Sequence, residues 1–483
     1  MKAAFFDRPA RALTVLIAVL AVVWSVQCAL LQTVLGKDIV ETVMWGAQLQ
    51  LGHQKHPPLS GWIGYLIAVA SGYSDFALYF SAPLFLAIGS FYVYRLGRLF
   101  LDETESAAGV LLLYLLFYYN PSSMKFCSHF VEAAFMPAMA FYIVKGAREN
   151  RLTDWLLAGF FSALAMLGKY SAAMILPGCL IYILIDRERR KCFLKPGIWC
   201  GMLLGVLLML PHLIWLAEND FCCLHHLERR VSDDPMPWYF FLIVFLVGVV
   251  PVLAEWAVLG VSWLPCRKES IRRTLPRELL SAALLLTLSP VVIFTGIALC
   301  GGDIVMMWYS FLAGWTGLAA VGLFPMQITR KHFRNLWILT AVYSVVFLIG
   351  STIDLLVKTR LRCHSDPAKI VKNVEDFYRK KCPGKKLPPL IGERWICGVV
   401  QYYSPEHPQS FCESDPVSLK PAMAKIEKEG AFLLGEPKVI RKWLPDLAKN
   451  VKFEQINVEY KALLGKPDMD EYYIALYPGK GKK

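Results

Sequence analysis

The chain has 483 residues, of which 56% are hydrophobic and only 18% charged, with a mean hydropathy of +0.44. Soluble domains carry about 25% charged residues, so this composition excludes an ordinary soluble enzyme. The net charge of +13 does not point to nucleic acid, because no basic stripe with interleaved aromatics lies in a soluble region, and membrane topology accounts for the charge.

The chain divides into a membrane body, residues 1–356, and a soluble C-terminal part, residues 357–483. A span needs about 20 mostly apolar residues. Apolar runs predict eleven spans, at 12–32, 76–97, 107–123, 127–145, 154–168, 170–186, 197–216, 238–262, 279–300, 304–327 and 335–356. The first follows a basic start like that of a signal peptide, but it is too long and has no convincing cleavage site, so it reads as a retained span. Between the first two spans, residues 38–51 have helical spacing and residues 59–70 are apolar but short. With a turn at Pro57-Pro58, they predict two helices lying in the membrane interface. Gly197, Gly201 and Gly205 recur every four residues, a pattern of close helix packing. Gly301-Gly302-Asp303 reads as a tight turn between the ninth and tenth spans.

Lysine and arginine in the connecting segments set the orientation. One alternating set of segments holds twenty-one of them, among them Arg95, Arg98, Lys145, Arg148, Arg189 and Arg330; the other set holds six. The basic side is read as the cytoplasm. The N-terminus then lies inside, and an odd number of spans puts the C-terminal part outside.

The six outer basic residues break the rule, so each calls for another explanation. They are Lys37, Lys55, Lys125, Lys169, Arg229 and Arg230. Lys169 lies in the apolar stretch Ala163–Met174, where a lysine either snorkels to the surface or waits for an anion. His225 and His226 precede Arg229 and Arg230, a grouping suited to phosphate through the forked guanidinium. A loop touching lipid headgroups has the same composition. Asp38 and Glu41 are three residues apart and can share a helix face, although an acid at a helix start also serves as a cap. Acids there can activate an acceptor, and Lys55, His56, Lys169, Tyr170, His225, His226, Arg229 and Arg230 can hold a phosphate leaving group. Trp45, His129, Glu132 and Asp303 are candidates for lining the same cavity.

These residues resemble a family. The run Asp38, Trp45, Leu49, Leu51-Gly52, His56-Pro57-Pro58-Leu59 and Trp62 is similar to the first outer loop of bacterial C-type (GT-C) glycosyltransferases. The resemblance is to the protein-mannosyltransferase-like group, which includes the lipid A aminoarabinose and galacturonic acid transferases. Gly168-Lys169-Tyr170-Ser171 with Leu176-Pro177-Gly178, and Pro211-His212-Leu213-Ile214-Trp215 with Arg229, match its mid-chain pattern in the same order. The resemblance covers roughly residues 30–235. The chain departs from the pattern in three places: Ile39 follows Asp38 where the group has a second acid, Lys55 stands where an acid precedes His-Pro-Pro, and His129 stands in for an aspartate, with Glu132 one turn along.

The resemblance implies a membrane all-α GT-C fold of about eleven transmembrane helices with a small C-terminal periplasmic α/β domain. It implies a polyprenyl-phosphate sugar donor and a lipid A, lipopolysaccharide-core, glycolipid or protein acceptor in a bacterial inner membrane. In this reading Asp38 is the general base, with Glu41 beside it, and Lys169, His56 and Arg229 stabilise the departing phosphate. No cofactor is implied with certainty, and a divalent metal stays open. Two other classes fit the same residues, a lipid-carrier transporter or flippase and a family member that binds the carrier without turnover. A transporter predicts matched internal repeats, and none is evident.

For the C-terminal part, patterning predicts strand 390–402, helix 418–429, strand 430–434, helix 437–448 and strands 451–463 and 471–477. Cys363, Cys382, Cys397 and Cys412, four of the thirteen cysteines, fall there and allow three pairings or free thiols.

Overall fold

The computed structural model describes residues 5–120, 125–228, 239–269, 271–272, 274, 276–300, 314–358, 362–449 and 451–479. The chain opens with α1 (Pro9–Leu31), followed by two short helices, α2 (Lys37–Ala47) and α3 (Leu59–Ala70). The bundle continues through α4 (Asp75–Gly97), α5 (Glu103–Leu113), α6 (Ser128–Glu149), α7 (Leu152–Gly168) and α8 (Leu176–Leu184). It then runs through α9 (Pro196–Glu218), α10 (Cys222–Glu228), α11 (Tyr239–Trp263), α12 (Arg277–Leu299), α13 (Thr316–Leu323) and α14 (Arg330–Val357). Among the described residues, seven helices are long and apolar enough to cross a membrane, and three shorter apolar helices accompany them.

Two expected spans differ from their prediction. The 107–123 run is the eleven-residue α5, whose residues Thr104–Leu113 are all buried. Asp102 caps its start, and at its far end the Asn120 amide bonds the Tyr114 and Leu116 carbonyls, so the chain turns back early. The 170–186 run begins as a tight 3-10 segment, Tyr170–Ile175, before α8. In 304–327, residues 304–313 lie outside the described residues and α13 covers the end.

The basic loops meet one another at one end of the bundle. Arg330 pairs with Asp7 at 3.0 Å, Arg148 reaches the Leu99 carbonyl at 2.6 Å, and Glu278 pairs with Arg148 at 3.1 Å and Arg189 at 3.5 Å. The opposite end, here termed outer, carries α2, α3 and the C-terminal elements. The glycine repeat on α9 has the expected use, since a Cβ on Gly201 would lie 2.2 Å from the Trp155 carbonyl of α7. A Cβ on Gly46 would likewise strike the Gly61 carbonyl at 2.0 Å, so α2 and α3 touch backbone to backbone.

After α14 come α15 (Pro367–Lys381), β1 (Leu390–Gly392), α16 (Arg394–Tyr403) and β2 (Ser410–Cys412), then β3 (Ala431–Leu434), β4 (Glu454–Tyr460) and β5 (Asp468–Tyr477), with short helices between β2 and β4. The five strands form one sheet in the order β2-β1-β3-β5-β4. β1 runs parallel to β2 and β3, while β5 is antiparallel to β3 and β4. The expected strand 390–402 is corrected. Only its first three residues are strand, because Glu393 accepts from the Trp395 and Ile396 amides and starts a helix. α16 is buried from Trp395 to Tyr402, since it is wedged between the sheet and α2, and that burial hid its helical period. A Cβ on Gly398 would lie 2.8 Å from the Val40 side chain, so this contact needs a glycine. All thirteen cysteines are free thiols.

Candidate active site at the outer end

The first outer loop is held from both sides. From below, the His212 Nδ1 on α9 donates to the Leu51 carbonyl at 2.6 Å, so its Nε2 accepts from the Tyr170 hydroxyl at 2.5 Å. Trp215 stacks on the same imidazole and fills the space a Gly52 side chain would need. From above, Tyr403 donates to Asp75, its oxygen accepts from the Leu35 amide, and Thr33 bonds the Cys363 and Ser365 carbonyls.

Glu41 is the main tie between the loop and α16. Arg394 donates to both of its oxygens at 2.9 Å, and Lys55 approaches at 3.4 Å. The Glu41 side chain is 6% exposed. This acid therefore anchors α2 to the C-terminal elements, and Lys55 neutralises it. We predict that Arg394→Ala destabilises the folded protein by about 3 kcal/mol, because a buried carboxylate loses its guanidinium partner. Adding Glu41→Gln is expected to recover much of the loss. Thermal unfolding of the three variants in detergent checks this.

His53 makes a second tie. Ser418 donates to Asp415 at 2.8 Å, so the His53 Nδ1–H donates to the Ser418 oxygen at 3.0 Å, and Cys223 on α10 donates to the His53 carbonyl at 3.0 Å. Burial, and then the nearby His212, hold the His53 imidazole down to about 3. Its folded value lies below the free value near 6.5, so its contribution is present above pH 6.5 and is lost as pH falls from 6.5 toward 3. Asp415, whose carboxyl burial pushes up, acts in the opposite sense at the acid end of that range. At pH 5 the imidazole alone is expected to cost about 2 kcal/mol. The fall in melting temperature from pH 7.5 to 5 should flatten in His53→Asn, whose amide keeps the donor without titrating.

Deeper in lies a charged cluster. Lys169 ends α7, and its ammonium sits 2.9 Å from His129 Nδ1 and 3.7 Å from Glu132 Oε2, both on the first turns of α6. Ser171 donates to the other Glu132 oxygen. The glutamate is fully buried and Lys169 is 7% exposed. His129 Nδ1 accepts from the ammonium, so the hydrogen on this imidazole is at Nε2. A Cβ on Gly168 would press on Val131 at 2.6 Å, which is how α7 comes close enough to α6 for this cluster to form. Cys127, which precedes α6, lies within the field of both Lys169 and Asp38. Asp38 is the open acid of the group: its side chain is 38% exposed, with Lys125 at 4.0 Å. As a first-turn residue of α2 it also faces the positive end of that helix. His56 lies near His129 and packs edge-on against Trp45, which stacks on His53.

The structure thus brings together Asp38, Lys169, His129 and Glu132, with His56 and Trp45 alongside. It ties Glu41 to both Lys55 and Arg394, and Tyr170 to His212. His225 is exposed on α10. Arg229, Arg230, Asp303 and the His226 side chain lie outside the described residues. Sequence reasoning missed Lys125, Ser171 and Arg394 as parts of the arrangement. Lys125 is legible in the sequence as an outer lysine and Ser171 as a motif residue, whereas nothing local marks Arg394. Among the described residues no three His, Cys, Asp or Glu side chains are grouped to hold a metal. A separate open cleft of about 460 Å³, lined by Arg148, Arg189, Arg277, Asp186, Glu188 and Glu278, lies at the basic end, away from these residues.

Comparison with known proteins gives the following. Residues 55–215 match the family model described as dolichyl-phosphate-mannose-protein mannosyltransferase. The chain is 25% identical over 184 residues to the lipopolysaccharide core galacturonosyltransferase RgtA of Rhizobium johnstonii, covering 38% of this chain and 37% of that protein. It is 27% identical over 200 residues to RgtB of the same organism, covering 41% and 40% respectively. The match therefore spans about two fifths of the length of these curated relatives. The crystal structure of ArnT from Cupriavidus metallidurans, bound to undecaprenyl phosphate, superposes with a TM-score of 0.61 at 14% identity over 97% of this chain and 99% of that one. At that identity the likeness is one of fold.

Proposed function

We propose that this chain, a member of the GT-C glycosyltransferase superfamily, moves a sugar from a polyprenyl-phosphate donor to an envelope glycolipid, lipid A or the lipopolysaccharide core, on the periplasmic face of a bacterial inner membrane. The observation that carries the reading is the gathering of an open acid, Asp38, and a buried cation, Lys169, near enough to Cys127 for both charges to act on it, at the outer end of the bundle. The relatives named for core galacturonosyl transfer support an envelope-glycolipid acceptor and an acidic sugar.

In this reading an acceptor hydroxyl attacks the anomeric carbon of the donor. The bond from that carbon to the phosphate oxygen breaks, and the product is inverted. Asp38 takes the hydroxyl proton, a contribution typically worth 10²–10⁴-fold. The electron pair leaves with the polyprenyl phosphate, and Lys169 and His56 meet the growing charge. An ammonium has three donors, so Lys169 can reach a phosphate oxygen without giving up both His129 and Glu132. Glu41 keeps α2, and with it Asp38, in place. The sugar is already activated on its carrier, so the reaction needs no nucleotide site. If the acceptor is itself a phosphate, Asp38 positions it rather than removing a proton.

The test is sugar transfer in membranes carrying wild type, Asp38→Asn or Lys169→Ala, read by mass spectrometry of extracted lipid A and core. Wild type is expected to add a sugar-sized mass that both variants lack, and that mass identifies the sugar. Consumption of a labelled polyprenyl-phosphate sugar with both glycolipids unchanged would move the acceptor to protein or another glycan. If wild type consumes no donor, the enzymatic reading fails and carrier binding or transport replaces it.

A further inference from the structure

The C-terminal sheet carries a feature that sugar transfer does not use. Between β4 and β5 the chain reads Lys461-Ala462-Leu463-Leu464-Gly465-Lys466-Pro467. A hairpin tip of a soluble domain is ordinarily polar. Here Leu463 is 77% exposed and Leu464 is 70% exposed, and Met469 on the adjoining strand is half exposed.

The position of the tip explains this. The Leu464 amide donates to the Leu356 carbonyl at 2.9 Å, and the Lys461 amide donates to the His364 carbonyl at 3.2 Å. Leu356 is the penultimate residue of α14, one of the helices long and apolar enough to cross the membrane. At about 1.5 Å per residue, this helix is about 42 Å long. A bilayer including its headgroups is about 40–45 Å thick. The end of α14, and the hairpin bonded to it, therefore sit at the level of the outer headgroups. Ile349, Ile353 and Val357, one stripe of α14, are each more than half exposed, and Leu463 and Leu464 lie beyond the end of this lipid-facing helix. Lys461 and Lys466 flank the leucines, the pattern of an interfacial anchor whose ammonium groups meet lipid phosphates while its apolar side chains go below them.

We infer that the β4–β5 hairpin is a membrane foot: Leu463 and Leu464 insert into the outer leaflet beside α14 and seat the C-terminal sheet on lipid. The occupant of this apolar surface is the bilayer, because the surface adjoins a helix already turned toward lipid. The foot fixes the height of the sheet above the membrane, and with it the height of α16 and Arg394 over the first outer loop. The inference does not depend on what the site at the outer end transfers.

The experiment is photo-cross-linking of the full-length chain in nanodiscs of phosphatidylethanolamine and phosphatidylglycerol with radiolabelled acyl chains. Leu463→p-benzoylphenylalanine and Leu464→p-benzoylphenylalanine are compared with the same replacement at Lys425, an exposed residue of the same sheet unit. Label at 463 and 464 several-fold above that at 425 is the expected result. Label equal to the control overturns the inference. A cross-linked dimer in place of a lipid adduct also overturns it, since the surface would then seat a second copy. As a second measurement, Leu463→Asp with Leu464→Asp should raise deuterium uptake across residues 461–467 in nanodiscs while leaving the sheet core protected. Unchanged uptake there would count against the foot as decisively as missing label.

Discussion

Asp38→Asn should lower sugar transfer by about 10²–10⁴-fold at saturating donor, with donor binding almost unchanged. Asparagine keeps the size and the hydrogen-bonding reach of the side chain but cannot take up a proton. The residue is well suited to a clean experiment. It is more than a third exposed, and its near contact is Lys125 at 4.0 Å, so the substitution leaves no buried partner stranded. The measurement is single-turnover transfer from a radiolabelled polyprenyl-phosphate sugar, with binding followed separately by protection against thermal unfolding. A loss of turnover with protection retained assigns Asp38 to the chemical step. Loss of both would make Asp38 part of the binding surface, and transfer at the wild-type rate would remove it from the mechanism.

Lys169→Ala is expected to abolish detectable transfer, with a loss of about 10²–10³-fold attributable to the missing charge at the leaving phosphate. The interpretation is harder because Lys169 is also structural. Its removal leaves the fully buried Glu132 with Ser171 and without its cation, a situation that costs about 3–5 kcal/mol. A dead variant could thus simply be unfolded. The double variant Lys169→Ala with Glu132→Gln separates the two effects. It removes both charges, keeps an acceptor for Ser171, and should recover most of the lost melting temperature while transfer stays absent. If the double variant regains activity with its stability, Lys169 is only a counter-ion for Glu132, and the phosphate must be held by other groups. Glu132→Gln alone should also lose stability, because it leaves the buried Lys169 ammonium without its carboxylate counter-charge.

The membrane body was legible because the bilayer demands long apolar runs. Departures came where protein, rather than lipid, surrounds a segment. α5 is short yet apolar because it is buried inside the bundle, so its length is not held to the thickness of the membrane. α16 lost its helical period for the related reason that both of its faces are covered. In the candidate site, Lys169 was conspicuous as a charge in an apolar stretch, and His129 and Glu132 stood out against the family pattern. Glu41 was legible as an acid but not as an anchor. Its role depends on Arg394, which lies 353 residues away and carries no local mark of its partner. Side chains that act through long-range pairs leave no periodic trace in the chain.

The same separation has a consequence for how the molecule is made. The ribosome delivers α2 early, with Glu41 destined for a buried position, and delivers Arg394 only after 353 further residues. At about 5–20 residues per second the glutamate waits roughly 20–70 s for its partner. During that interval the first loop has neither Arg394 nor the acceptors that Tyr403 and Ser418 offer to Leu35, Gln50 and His53, so the ties that hold the helix bearing Asp38 are completed late. A chain cut short between residues 358 and 394 would keep the apolar helices and lack the tie from Arg394 to Glu41.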